Sequence, residues 1–456
     1  MRNKFQKFGL VLIGLVAGIL ISLNFSASAS KDAADAASPL PVEELRNFAD
    51  VFNAIKQGYV EPISDKKLIT YAISGMLSNL DPHSAYLDAD AYKDLQVSTQ
   101  GEFGGLGIEV GMEDGFIKVV SPIDDTPAFK AGVKAGDLII KINDTSVQGM
   151  TLSDAVKRMR GKPKTQITLT IVRKGERKPI VLTLTREKIK VKSVKSKMLA
   201  PGYGYIRIAQ FQEETAADMV KQIDNLYKQN KGDLRGLALD LRNDPGGLLH
   251  GAVGVAGAFL PPRALIVSTD GRTEDSKRKY FASPEDYLRT GGKDFLKKLP
   301  PGIKTVPLIV LVNGGSASAS EIVAGALQDH KRAVLLGTQT FGKASVQTIL
   351  PLSNNTAIKL TTARYYTPNG RSIQLKGITP DVVVPETPNG GAQDQLREVD
   401  LEHHLDNDKD KTVAPKVQPK QSETEAAAPF EYASKNDYQL NQALELLKAW
   451  QIIKER

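Results

Sequence analysis

From Pro307 to Val312 the chain is apolar without a break and lacks period-2 alternation, so it predicts a strand buried on both faces of a parallel sheet. Asn313-Gly314-Gly315 interrupts the run with residues that tolerate positive φ. Beyond it Ile322, Val323, Ala326 and Leu327 recur at helical spacing. A strand, sharp turn and helix in that order place Ser316, Ser318 and Ser320 at the carboxyl end of a strand. There they sit over the unpaired N–H groups and positive dipole end of a helix. Such a position suits a nucleophile whose attack creates an oxyanion. Ser318-Ala319-Ser320-Glu321 also reads as a capping box that merely satisfies the helix's first N–H groups, and the stretch alone fits both readings.

Similar patterning divides the rest of the chain. Leu45, Phe48, Val51, Phe52 and Ile55 form one helical stripe and Leu68 to Leu80 a second, giving a helical region over 40–97 that caps the body or dimerises. Asp81-Pro82-His83-Ser84 follows; beside a proline turn, His83 reads as a structural hydrogen-bonder rather than a catalytic base. Residues 98–190 read as a β-rich module. Its strands are opened by Gly104–Ile108 and continue at 116–121, 137–143, 166–172 and 180–185, with helical pieces at 128–131 and 152–159. Strand–helix alternation then runs through 203–208, 215–229, 237–241, a helical run to Leu260, 307–312 and 333–337, which implies an α/β layer with right-handed crossovers. Residues 356–366 and 378–384 close that body. Asp240 to Gly247 makes a second turn at a strand's carboxyl end. Beside the first, it would bring the N–H of Gly246 or Gly247 next to that of Ala319. Residues 263–301, polar and broken by Asp, Gly and Pro, read as a surface insertion and candidate lid. Residues 386–433 read as a flexible linker. The segment 434–456 carries an amphipathic helix over 438–453 that must dock on the body or on a second subunit.

A length of 456 residues suits two or three domains. The net charge of +8 (60 basic against 52 acidic residues) is concentrated between Arg173 and Lys197. Without an aromatic-interleaved groove or zinc spacing it reads as solvated strand faces, not a nucleic-acid surface. Zero cysteines exclude disulfides and thiol catalysis. Arg2, Lys4 and Lys7, the apolar stretch Phe8–Phe25 and Ala27-Ser28-Ala29 make residues 1–29 a signal peptide or a retained anchor. Either way the body is exported, and a periplasmic location is expected, free or held at the inner membrane. Gly337 to Ala344 matches the start of a phosphate-binding loop. It fails because Ala344 stands where Mg²⁺ needs a hydroxyl and the short, β-prone 345–352, ended by Pro351, replaces the required helix. No metal spacing appears among the five histidines, and no cofactor is expected. His330 lies roughly 18 Å along the helix from Ser318, too far to be its base.

Gly105-Leu106-Gly107-Ile108, together with Pro127 to Asp137 followed by Ile139 and Ile142-Asn143, resembles a PDZ domain. In such a domain the glycine-loop N–H groups cradle a terminal carboxylate, and the following edge strand pairs with an extended peptide. One departure is that Glu102 and Phe103 precede the loop, where a basic residue often assists. Over most of 40–385 the chain resembles the carboxyl-terminal processing (tail-specific) serine proteases. The motifs are VNGGSASASE at 312–321, FGK-x-x-x-Q at 341–347, LR-N-x-PGG at 241–247 and NLDPHSAY at 79–86. The resemblance implies a multi-domain α/β protein with a crotonase-like βαβ layered core over 191–385 and the PDZ domain, 98–190, inserted before it. It also implies Ser318 as nucleophile, Lys343 as general base and Gln347 as its orienting residue. Ala319 N–H with that of Gly246 or Gly247 would form the oxyanion hole, with no metal. Expected partners are proteins with free apolar carboxyl termini, further copies of the chain through its terminal helices, and an activating protein. Lysine can act as a base only where burial depresses its pKa, and Phe341, Val346 and Ile349 are available to bury it. On a strand, Lys343, Ser345 and Gln347 point the same way. Arg173 is a candidate reporter of PDZ occupancy, with a plain surface salt bridge as the competing reading. The alternative for the whole chain is a catalytically silent periplasmic PDZ binder or adaptor, which the intact Ser, Lys and Gln argue against.

Overall fold

The computed structural model describes residues 41–123, 125–289, 292–388, 396–410 and 433–454. The leading segment and the stretch 411–432 lie outside these. The chain divides into two units, with the boundary after Ile73. In the first, the helix Val42–Gly58 buries no residue, and Phe48, Val51, Phe52 and Ile55 line a groove with Leu68, Tyr71 and Ala72. No described helix is long and apolar enough to cross a membrane.

The second unit is built on a six-stranded sheet in the order Val194–Ala200, Tyr203–Ile208, Gly236–Asp240, Leu308–Val312, Val334–Gly337, Val382–Val383. All pairs after the first are parallel. Every residue of Gly236–Asp240 and Leu308–Val312 is buried, which is why these strands read as unbroken apolar runs. Leu237, Leu239, Leu308 and Val310 face the helices Thr215–Asn230, Leu249–Phe259 and Ala319–Asp329. Ala238, Ile309 and Leu311 face the helix Tyr438–Lys454, whose Leu440, Ala443 and Leu447 are buried on them. The last helix thus docks on its own body.

A second sheet carries Gln347 and Thr361. Its long strand Ala357–Tyr366 pairs with Ser345–Pro351, Ala85–Leu87 and Leu265–Gly271, the last of which pairs with Arg278–Phe281. This corrects the reading of 263–301 as a surface insertion: two of its segments are sheet strands. The first of them pairs with a strand some ninety positions on and the second only with the first, so the local pattern does not place the pair in this sheet. A second correction concerns 386–433. Residues 396–410 lie on the body with Glu398 and Asn407 buried, held by polar anchors that composition reads as linker.

Residues 98–190 hold a sheet in the order Ile108–Glu113, Phe116–Pro122, Leu138–Ile142, Gln166–Val172, Ile180–Thr185, around its own core of Ile117, Ile139, Ile142, Leu169 and Ile171. The helix Leu152–Met159 packs on that core through Ala155 and Met159. Ile108–Glu113 is an edge strand. The preceding helix Ala89–Gln100, capped by Asp88, has a weak apolar stripe and is not evident from the sequence. In the lysine-rich segment exposed Lys188 and Lys190 flank buried Ile189 on a strand, Glu187–Lys190, so that charge does sit on a solvated strand face.

Candidate active site

The two turns at the carboxyl ends of the central strands are zipped together. Asn313 Nδ2 donates to Asn243 Oδ1 (2.9 Å) and Asn243 N to Asn313 Oδ1 (2.9 Å). Asp244 O accepts from Ala317 N and from Ser320 Oγ, both at 3.0 Å. Gly246, at φ 96°, comes so close that a Cβ there would fall 2.9 Å from both Ala319 N and Ser318 Cβ. Of the three serines, Ser316 and Ser320 are fully buried and spend their hydroxyls on the carbonyls of Leu241 (2.8 Å) and Asp244. Ser318 is half-buried, and its side chain makes no cap hydrogen bond. Ser318 and Glu321 nevertheless stand as a capping box, in which Ser318 N donates to Glu321 Oε2 at 2.8 Å. The Ser318 backbone sits at φ 54°, ψ −109°, where a residue with a Cβ is strained.

Lys343 enters from the second sheet. Its Nζ donates to Gln347 Oε1 (2.7 Å), while Gln347 Nε2 donates to Ser345 Oγ (2.9 Å) and Thr361 Oγ1 (3.1 Å). The three residues therefore do converge, across a register shift between Val346 and Gln347. Burial lowers the Lys343 pKa to about 8. The Lys359 charge pushes the same way, and Glu398, Glu321 and Asp81 oppose it. Thr361 Oγ1 in turn donates to Asp81 Oδ1 (3.1 Å), which also receives the amides of His83 and Ser84. His83 Nε2 lies 2.8 Å from buried Glu398, and His330 Nε2 lies 2.8 Å from Leu265 O. Each histidine is thus held structurally.

Glu321 ties the serine turn to the lysine loop. Fully buried, its Oε1 accepts from Thr340 Oγ1 (2.6 Å) and Gly342 N (2.8 Å), its Oε2 from Ser318 N and from Lys343 N (3.0 Å). Burial pushes its pKa up to about 7 against those four bonds. Tyr365 OH adds a second tie, reaching Lys343 O (2.6 Å) and Ser318 O (3.1 Å). Ala319 N–H and Gly247 N–H have no acceptor among the described residues, whereas Gly246 N–H is taken by Asp244 Oδ1 (2.8 Å). The sequence shows Glu321 only as a capping residue and gives no sign that Tyr365, Thr361 or Glu398 belongs to this cluster, because their partners lie far along the chain.

In the β-rich module, Gly107 takes φ 76°, and a Cβ there would fall 2.3 Å from Thr126. The carbonyls of Leu106 and Gly107 accept from Ala128 N (3.0 Å) and Ile123 N (2.9 Å), which fixes the loop Gly105–Ile108 at the head of the edge strand. Arg173 is bound within the module by Asp137 (2.7 and 2.8 Å) and Gly132 O (2.7 Å).

Residues 202–384 match peptidase family S41, 104–184 the PDZ domain, and 20–91 the N-terminal domain of the activating protease CtpB. The carboxy-terminal-processing protease of Bartonella bacilliformis is 48% identical over 411 residues, covering 89% of this chain and 88% of that protein. The chain belongs to the carboxy-terminal-processing protease family. It is a serine peptidase with a PDZ domain, of mixed α/β fold. Within the same family, carboxy-terminal processing protease CtpA of Bacillus subtilis is 34% identical over 84% of this chain and 78% of that one. Among solved structures, a photosystem II D1 C-terminal processing protease aligns with 31% identity over 74% of this chain and 92% of that one, at a TM-score of 0.41.

Proposed function

We propose that this carboxy-terminal-processing protease is an exported endopeptidase that holds a substrate's free carboxyl terminus in its PDZ domain and cleaves through Ser318 and Lys343. The observation that carries the reading is Lys343, half-buried, aimed by Gln347 and lowered to about 8, on a loop fastened through Glu321 to a turn whose one uncommitted serine is Ser318. Neutral Lys343 takes the Ser318 proton as Oγ attacks the scissile carbonyl. The oxyanion faces Ala319 N–H and Gly247 N–H, since Gly246 N–H is engaged by Asp244. Lysine then protonates the departing amine, and by reversal it activates the water that hydrolyses the ester. Residues 98–190 serve as the tail-binding domain and 191–385 as the protease core. Export through residues 1–29 places both in the periplasm. The helical arm, 40–97, with its exposed apolar stripe, provides a surface for self-association or for an activating protein.

The test is to incubate the chain from Ser30 onward, with serine or alanine at 318, with an unstructured protein ending in an apolar residue. Fragments from the parent alone are expected. Cleavage by both would remove Ser318 from the role, and cleavage by neither, with an activator present, would favour the silent adaptor.

A further inference from the structure

The PDZ loop presents a problem of charge. Glu102, paired with Lys188, stands at its entrance and offers a carboxylate ligand no attraction, and no basic residue precedes the glycines. The missing cation comes from elsewhere in the fold. Arg160 directly follows the helix Leu152–Met159, and the next residue, Gly161, donates its amide to Gly104 O at 3.0 Å. A Cβ on Gly104 would fall 2.0 Å from Gly161 O, so the two backbones touch. The Arg160 guanidinium lies 4.9 Å from the centroid of the Phe103 ring, and that ring covers Gly105, where a Cβ would fall 2.7 Å from it. Arg160 is therefore stacked beside the carboxylate loop.

Its donors are not used up. Nη1 holds Asp94 Oδ1 at 2.9 Å, and Nε is buried with no acceptor among the described residues. Two neighbouring cations are committed: Arg186 donates to the carbonyls of Met159, Arg158 and Gln166, and Lys188 pairs with Glu102. Asp94 belongs to the helix Ala89–Gln100, whose Asp90 likewise pairs with Lys157 at 2.8 Å. Both pairs are exposed and so weakly held.

We infer that Arg160 exchanges Asp94 for the terminal carboxylate of the bound tail, so that tail binding releases one of the two ion pairs joining the PDZ helix to Ala89–Gln100. A carboxylate that is also cradled by loop N–H groups competes well for a planar guanidinium. The released helix follows directly on Ala85–Leu87, which pairs with the strand bearing Thr361, the partner of Gln347. This inference rests on the proposed tail binding by the PDZ domain.

The test uses the full chain with Ser318→Ala and a labelled peptide with an apolar last residue, as free acid and as amide. The parent is expected to prefer the acid. Arg160→Gln should cut affinity for the acid about tenfold and leave the amide unchanged. Asp94→Asn should raise affinity for the acid a few-fold, and Lys157→Gln should leave the acid-to-amide ratio as it was. An unchanged ratio in Arg160→Gln overturns the role of Arg160, and no gain in Asp94→Asn overturns the exchange. A parent that binds acid and amide alike overturns the tail reading itself.

Discussion

Lys343 can accept a proton only as the free amine, and its surroundings decide how often that form exists. Lowering its pKa from 10.5 to about 8 raises the neutral fraction at pH 7 from about one in 3,000 to about one in ten. kcat/KM should therefore rise with pH through a midpoint near 8. Because the Lys359 charge helps depress Lys343, Lys359→Gln should move that midpoint upward, measurable as an alkaline shift of the pH–rate profile. Asp244 carries a different pH signature. Burial raises it from 3.8 to about 8, so the folded state holds a proton that the unfolded state gives up between those values. Its contribution is present below pH 4 and lost as pH climbs towards 8. Asp244→Asn keeps an acceptor for Gly246 N–H without the ionisation. The variant's gain in melting temperature over the parent should grow from pH 5 to pH 8, and a constant difference would show Asp244 ionised throughout.

At the scale of elements, what could be read in advance was whatever is written locally. The strand Leu308–Val312 and the helix Ala319–Asp329 are legible because burial on all sides leaves one apolar run and one 3.6-residue stripe. The seryl turn between them is legible in kind, but choosing Ser318 over Ser316 and Ser320 needs the hydrogen bonds that those two spend on another turn seventy-odd positions away. Leu265–Gly271 and the docked stretch around Glu398 escape a local reading for the same reason: their partners are remote and their anchors polar. The last helix is legible as amphipathic, though not as a clamp. Asp437, the residue just before it, grips Arg242 at 2.6 and 2.8 Å, while Arg242 also holds Asp240 and Gln439, and Arg242 and Asp240 are buried. Asp437→Ala would remove one of the two carboxylates on this guanidinium, which keeps Asp240 and Gln439, so urea unfolding should show a loss of about 2 kcal/mol. Activity should fall with it, because Arg242 begins the turn that carries Gly246 and Gly247.

For the whole molecule, the proposed sites of recognition and of chemistry lie on separate sheets with separate cores, so they can be damaged separately. Gly107 takes a backbone that disfavours side chains and touches Thr126. Gly107→Ala should distort the carboxylate loop without reaching the serine turn. The expected result is a raised KM for substrates with free apolar tails and an almost unchanged kcat on a short peptide that bypasses the PDZ domain. Equal losses on both would mean that the domain supports the core's structure and not substrate capture.

The Ser318 backbone has one more consequence. A conformation that costs on the order of 1–3 kcal/mol for any side-chain-bearing residue is held in place by Glu321 and Tyr365, not by the hydroxyl itself. Ser318→Gly should then melt at a higher temperature than the working protein, and Ser318→Ala, which keeps the strain, should not. Stability alone would favour glycine at this position, so a serine here is worth its strain only to a chain that uses the hydroxyl.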